Sequence, residues 1–502
     1  MNRFDIVIIG SGIGGLVCGA ILGMEGYKVC VLEKNRQIGG ALQSFSRDKV
    51  ILDSGVHYLG GLHKGQNLYQ IFQYIGILDQ LRLTPMDTIF DTILIEGDEK
   101  TYAYAQGYEA FVSRLAEDFP GERDAIQAYA DKIREVCSRF PLYNLRTGGA
   151  YEEKAGVLEI DAKTYIESIT ENKKLREVLA GNNILYAGQP YKTPFYVHAL
   201  ILNSYIESSW KCIDGGARIA QVLAKKIRAL GGVVKTRAAV KKIVEAEGRV
   251  SHVELENGES FYADAYISNL HPVRTLEMTD TPLIKKAYRH RLQGLENSIS
   301  SFSLHVVLKE KSFRYIPRNV YYHREGCAWT MADYTPDNWP LGYALFFSPS
   351  RTFPEFAASL TIMTYMKYEE LREWSSTFNT TDSPADRGLS YKAFKEAKAT
   401  RLLDLVEQRF SGIRDAMQTW YASTPLSFRD YLGTDDGSMY GIVKDYKDPV
   451  KTLVPARTKL PNLYLTGQNL NLHGILGSAI SALVTCSELL GNEHFIEKIR
   501  HA

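Results

Sequence analysis

Excess charge is almost absent from this sequence: 59 lysines and arginines stand against 58 aspartates and glutamates, a net charge of +1. Bulk electrostatics therefore give no reason to expect a nucleic-acid partner. Cysteine is scarce and scattered. Cys18, Cys30, Cys137, Cys212, Cys327 and Cys486 form no C-x-x-C pair, which argues against a disulfide framework or a zinc site and suits a reducing cytoplasm. No metal is expected. Long apolar runs are missing too. A membrane span needs ~20 mostly apolar residues, and the best window, near the N-terminus, is spoiled by Glu25 and Lys28. A signal peptide fits poorly, because Asp5 interrupts its start and no small-residue cleavage site follows a compact apolar core. Repeats and low-complexity linkers are also absent.

What is present begins with that same window, "DIVIIGSGIGGLVCGAILGMEGYKVCVLEK" at residues 5–34. Residues 6–9 read as a buried parallel strand. Gly10, Gly12 and Gly15 then fall in the spacing G-x-G-x-x-G, with Ile13 and Gly14 inside the turn. Residues 16–25 suit a helix, Gly26 its end, and residues 29–32 a second strand. The first glycine allows a tight turn, the second close approach to a pyrophosphate, and the third close helix–strand packing. The helix N-terminus offers free N–H groups and a positive dipole end to the phosphates. Glu33 closes the second strand at the place of the acid that accepts ribose hydroxyls, with Lys34 beside it. Strand, turn, helix, strand and acid in order make a dinucleotide site.

At 502 residues the chain is too long for one simple domain. After Glu33 comes "RQIGGALQSF", with Gly39 and Gly40 in a loop, and then "LDSGVHYLGG" at residues 52–61. Residues 106–206 read mainly helical, with stripes such as Phe111, Leu115 and Phe119. Residues 215–269 return to alternating helix and strands with Gly and Asn-Gly turns. Residues 272–446 are mixed and longer-looped, with strand-like "FSLHVVL" and "SLTIMTYM" and a helix near 391–409. Residues 461–491 end the pattern as strand, glycine turn and long apolar helix. The economical reading is an α/β nucleotide domain assembled from 1–105, 208–275 and 447–502, with a mixed α+β substrate domain from 106–207 and 276–446. The 31 tyrosines and 20 phenylalanines suit an ordinary core or a long apolar pocket.

Several stretches resemble one family of flavoproteins. The fingerprint with Glu33, "GGA", "LDSGVHYLGG", "WKCIDGGARIAQVLAKKIRALGG", "ADAYISN", "STPLSFRDYLGTDDGSMYGI" and "LYLTGQNLNLHGILGSAISALVTC" are similar to the phytoene desaturase, carotenoid isomerase and retinol saturase family. The similarity spans nearly the whole chain and leans towards the saturase and isomerase branch. Ala41 stands where many relatives carry arginine, and "GQNLNLHGILG" replaces the Pro-rich, Gly-rich closing loop of bacterial desaturases.

The resemblance implies a Rossmann-like, two-dinucleotide-domain flavoprotein with FAD as cofactor and a long apolar polyene or other lipid as substrate. It assigns the loop Gly39, Gly40 and Ala41 to the cofactor, Val240 to adenine, and Gly467 and Gln468 to the ribityl chain. Gly474, Ile475 and Leu476, after His473, would open a helix aimed at the flavin ring. His57, Tyr58, Tyr440 and His473 sit in motifs expected near the ring, so His57 is expected to line the cofactor. Each is also a possible proton donor. Two rival readings share the fold: an amine oxidase, and a non-catalytic prenyl-binding relative. Only one dinucleotide fingerprint is present, so net reduction would draw on an external electron donor. A lipid substrate must leave a bilayer, so transient contact of a cytoplasmic protein with membranes is expected. "IKKAYRHRLQGL", with Lys285, Lys286, Arg289 and Arg291, is the candidate contact.

Overall fold

The computed structural model describes residues 2–148, 151–491 and 493–502. Its N-terminus forms strand β1 (Asn2–Ile9), helix α1 (Ile13–Met24) and strand β2 (Val29–Leu32). The helix starts three residues before the sequence suggests. Gly14 and Gly15 belong to its first turn instead of the loop, because Gly15 packs where a Cβ would lie 2.3 Å from the Gly10 carbonyl oxygen. The apolar character of this stretch also has a plain cause. Residues 13–22 are buried on every face of α1, against helices Gly216–Ala229 and Gly474–Leu490. A helix apolar all round is a core helix or a span, and here it is core.

Five parallel strands run in the order Val233–Lys235, β2, β1, Ser260–Ser268 and Leu463–Leu465. The chain thus draws one sheet from its beginning, middle and end. The hairpin Val240–Ala246/Arg249–Leu255 extends it by antiparallel pairing with the first half of Ser260–Ser268. Strand order reverses about β1, and in such sheets ligands bind at the carboxyl ends beside the reversal.

A second sheet has the order Met417–Ser423, Ser300–Leu308, Ala357–Met366, Gly342–Pro349, Asn319–His323, Ile89–Ile95 and Thr101–Ala105. Its pairs are antiparallel except Asn319–His323 with Ile89–Ile95. Strands Ile89–Ile95 and Thr101–Ala105 belong to the second sheet, where "IFDTILI" is covered on both faces. The helices between Tyr108 and Glu207 pack beside this sheet in one core. Short strands Leu59–Gly60, Ser209–Cys212 and Leu83–Pro85 stitch the places where the chain passes between the two sheets. Among the described residues, no helix is long and apolar enough to cross a membrane.

Candidate functional site

The carboxyl ends of the parallel strands converge on a glycine cradle. Gly10 follows β1 with φ 94, a left-handed conformation suited to glycine. Gly12 caps α1 in extended conformation, and neither a side-chain cap nor an acidic residue occupies that helix's first turn. Its leading N–H groups are left for an anion. Added Cβ atoms would meet neighbours at 2.7 Å from Gly12, 2.8 Å from Gly14 and 2.4 Å from Gly467. In each case the neighbour is the Asn269 amide, at the end of strand Ser260–Ser268. Asn269 therefore touches both the opening fingerprint and the closing turn. In the sequence, its motif "ADAYISN" marks Asn269 by position alone, one residue past a buried parallel strand.

Glu33 is buried at the end of β2. Its Oε2 accepts from the Ser11 N–H at 3.0 Å and Ser11 Oγ at 2.5 Å, and its Oε1 accepts from the Asn35 N–H at 2.9 Å. Ser11 Oγ in turn accepts from the Gly39 N–H at 3.1 Å. Glu33 thus fixes the loop that carries Gly39 and Gly40. A carboxylate has about four acceptor positions, so ribose hydroxyls can still be received. Ser11, an unspecified position of the fingerprint, was not singled out in the sequence. A Cβ at Gly40 would lie 3.3 Å from Gly12 Cα, so the loop passes directly over the first turn. Ala41 is exposed beyond it. Val240 opens its strand two residues after Ala238, whose N–H donates to the Glu33 carbonyl at 2.8 Å. Lys34 points elsewhere: its Nζ donates to the Asp430 carbonyl at 2.8 Å, and burial holds its pKa below the usual lysine value. These donors, the crowded glycines and the acid fit a dinucleotide's pyrophosphate and ribose.

Beside the closing helix lies a cleft lined mainly by apolar side chains. His57, Tyr440 and His473 all line it, together with Gly474, Ile475 and Leu476. His57 lies flat on Phe346, with ring centroids 4.2 Å apart. It borders the cleft while protein surrounds it, and burial followed by His305 and Lys211 pushes its pKa down to about 3. His473 caps the closing helix, and its Nε2 donates to the Leu185 carbonyl at 2.9 Å. Burial lowers its pKa to about 4. That carbonyl can only accept, so Nε2 carries the proton of a neutral ring. Tyr440 packs on His473 at 4.4 Å and donates its hydroxyl to the Ile184 carbonyl at 3.0 Å. The two rings also line a smaller pocket that includes Gln468, so they form a partition between the spaces. The closing helix has no side-chain cap and no acid in its first turn.

The model of the family described as flavin containing amine oxidoreductase matches residues 13–385. The chain belongs to that family and is an FAD-dependent oxidoreductase. It is 28% identical to an all-trans-retinol 13,14-reductase of Danio rerio, over 98% of this chain and 86% of the relative. It is 24% identical to prolycopene isomerase 1, chloroplastic, of an Oncidium hybrid cultivar, over 99% and 85% respectively. In fold it is similar to a solved oxidoreductase from Methanosarcina mazei, with a TM-score of 0.64, 15% identity, and coverage of 95% of this chain and 99% of that one.

Proposed function

We propose that the protein saturates, isomerises or desaturates a carbon–carbon double bond in a long apolar polyene or isoprenoid lipid. The observation that carries this reading is the lining of the cleft: among the described residues, no aspartate, glutamate, lysine or arginine borders it. Its two histidines are held neutral by burial. A protonated amine entering it would lose its water with no counter-charge. A neutral polyene instead gains ~25 cal/mol for each Å² of apolar surface removed from water. The names of the retinol reductase and prolycopene isomerase relatives support the same substrate class.

Bound FAD supplies the hydride and electron chemistry. The rest is work for the chain. The N–H groups opening α1 and the glycines around Asn269 would hold the pyrophosphate, and Glu33 would take the ribose. Val240 would serve the adenine, Gly467 and Gln468 the ribityl chain, and the uncapped closing helix would favour negative charge on the reduced ring. His57 and Phe346 form one apolar wall, and the Tyr440–His473 pair forms another. Net reduction would draw on an external electron donor; isomerisation would not consume one.

The test is to reduce the bound flavin anaerobically and screen conjugated lipids for its reoxidation, with amines screened in parallel as reductants of oxidised enzyme. Reduction by amines with no polyene reacting would overturn the reading. Tyr440→Phe and His473→Ala are each expected to retain FAD. Their turnover should fall well short of the ~10²–10⁴-fold loss typical of a missing general acid, because both protons are engaged by backbone carbonyls. Single-turnover rates check this; a loss of that size in Tyr440→Phe would make its hydroxyl the donor.

A lipid substrate also requires a meeting with a membrane, and the protein is read as cytoplasmic and at most peripheral. In helix Lys286–Gln293, Arg289 donates to the carbonyls of Leu276 and Thr279, and Arg291 to those of Lys451 and Leu453. Lys285 and Lys286 remain exposed, and Leu453 and Val450 present apolar surface on the adjoining segment. Mixed cationic and apolar surface of this kind favours anionic bilayers. Flotation with anionic liposomes should weaken when Lys285→Glu and Lys286→Glu are combined. Unchanged flotation would remove this segment as the contact.

A further inference from the structure

Under the cleft wall formed by Tyr58 and Tyr205 lies a buried polar group that neither cofactor binding nor wall packing explains. Asp91, on strand Ile89–Ile95, is fully buried. Its Oδ1 accepts from Asn319 Nδ2 at 2.9 Å, and its Oδ2 lies 3.2 Å from Tyr58 Oη. Tyr58 Oη is also 2.9 Å from Tyr321 Oη. The register makes this possible. Asn319 pairs with Asp91 across two parallel strands, and Tyr321, two residues on, shares its face. Tyr58 is stacked on Tyr205 at 4.1 Å, and both rings line the cleft.

Among the described residues, no cation bonds to Asp91. The nearby Lys211 directs its Nζ to the Phe347 carbonyl. A buried carboxylate without a bonded cation is costly, and taking up a proton removes that cost. The hydrogen-bond chain accommodates either state. As an acid, Asp91 donates to Tyr58 Oη, which also accepts from Tyr321, so that the Tyr58 proton is left for the cleft. As a carboxylate, Asp91 accepts from Tyr58, which accepts from Tyr321. The other polar side chains on the cleft are differently placed. His473, Tyr440, Tyr143 and Ser204 each donate to a backbone carbonyl, Tyr205 is stacked on Tyr58, and His57 is stacked and neutral. Among the cleft-lining residues described, Tyr58 is the one whose hydroxyl meets a carboxyl group.

We propose that Asp91 stores a proton and that Tyr58 delivers it to the double bond of a lipid held in the cleft. Asp91, acting through Tyr58, is a positioning residue. The proposal rests on the polyene reading for its substrate. The Tyr58 O–H bond breaks and a C–H bond forms from the alkene π pair, while the Asp91 proton passes to the Tyr58 oxygen. Positive charge spreads along the conjugated chain. Return of a proton from a neighbouring carbon completes an isomerisation. Capture of a hydride from a donor of the dihydroflavin class completes a saturation, after which water reprotonates Asp91. Burial raises the Asp91 pKa to about 7, against the opposing effects of Asn319, Tyr58, Asn182 and Lys211. The titratable groups facing it are Tyr58, Tyr104, Tyr205, Tyr321 and Lys211.

Infrared spectroscopy of the FAD-loaded protein, with no substrate present, tests the store. A carboxylic-acid carbonyl band should be present just below neutral pH, shift in D₂O, fade as pH rises through about 7, and be missing in Asp91→Asn. Tyr58→Phe should keep the band. Both variants should retain FAD. In both, single-turnover reoxidation by a conjugated lipid should slow by ~10²–10⁴-fold, and the decline of the wild-type rate above neutral pH should disappear in Asp91→Asn. Absence of the Asp91 band below neutral pH, or wild-type rates in either variant, would overturn the proposal. A band present in a wild-type protein that reacts with no polyene would support the proton store and overturn the substrate reading instead.

Discussion

A Gly12→Val variant should fold, purify colourless and retain no FAD. Gly12 is the right position for this test because its backbone is extended, with φ −62, so valine adds no strain in the chain itself. The new Cβ would lie 2.7 Å from the Asn269 amide nitrogen, the end of a short polar side chain that can move aside. What the branched side chain then occupies is the cradle over the first turn of α1. The N–H groups that open the helix lose their line of approach to a pyrophosphate. Gly15→Val would confuse the result, since its Cβ meets the Gly10 carbonyl oxygen at 2.3 Å and would part the helix from its strand. The ratio of flavin to protein absorbance after gel filtration, read beside far-ultraviolet circular dichroism, checks the expectation. Full flavin content in a folded Gly12→Val protein would place the pyrophosphate elsewhere.

The ease with which that prediction can be made reflects which parts of the molecule the sequence announces. The fingerprint is local: strand, turn, helix, strand and acid lie within one short stretch, and backbone geometry alone dictates the glycines. The closing helix was legible for the same reason, as was the helical character of residues 106–206. Residues 89–105 were not. Their short apolar runs cannot say which sheet they join, and the parallel partner of Ile89–Ile95, Asn319–His323, lies more than two hundred residues away. Side-chain direction was equally hidden. Lys34 adjoins the ribose acid in sequence, yet its ammonium reaches Asp430. His473 and Tyr440 meet at one cleft, but only the fold reveals the backbone carbonyls that hold their protons. Asp91 gave no signal at all, because a single acid in a strand is unremarkable until its partners arrive from Tyr58, Asn319 and Tyr321.

Asp430→Ala should cost about 3–5 kcal/mol of stability, the range for breaking one side of a buried ion pair. Asp430 lies in "SFRDY", within the stretch that resembles the saturase and isomerase branch, and its side chain is fully buried. Oδ2 accepts from Arg387, itself almost wholly buried, and from the Asn379 N–H at 2.9 Å. Oδ1 accepts from Arg429 Nε at 2.8 Å. Alanine would leave the Arg387 guanidinium in the interior without a counter-charge, which is where most of the cost arises. Asp430→Asn keeps the shape but not the charge and should cost less. The same helix, Pro425–Leu432, is hooked to the nucleotide sheet: Lys34 Nζ reaches the Asp430 carbonyl and Asn35 Nδ2 the Tyr431 carbonyl at 3.0 Å. Both donors directly follow Glu33. Loosening the helix should therefore weaken FAD retention as well as lower the denaturation midpoint. Urea unfolding of the FAD-loaded protein, with Arg387→Ala and the double variant completing a cycle, measures the coupling. Removing Asp430 strands Arg387, whereas removing Arg387 leaves Asp430 paired with Arg429; the double variant strands neither and should lose less than the sum of the two single losses. Additive losses, or an Asp430→Ala midpoint equal to wild type, would mean that the pair does not brace the sheet that holds Glu33.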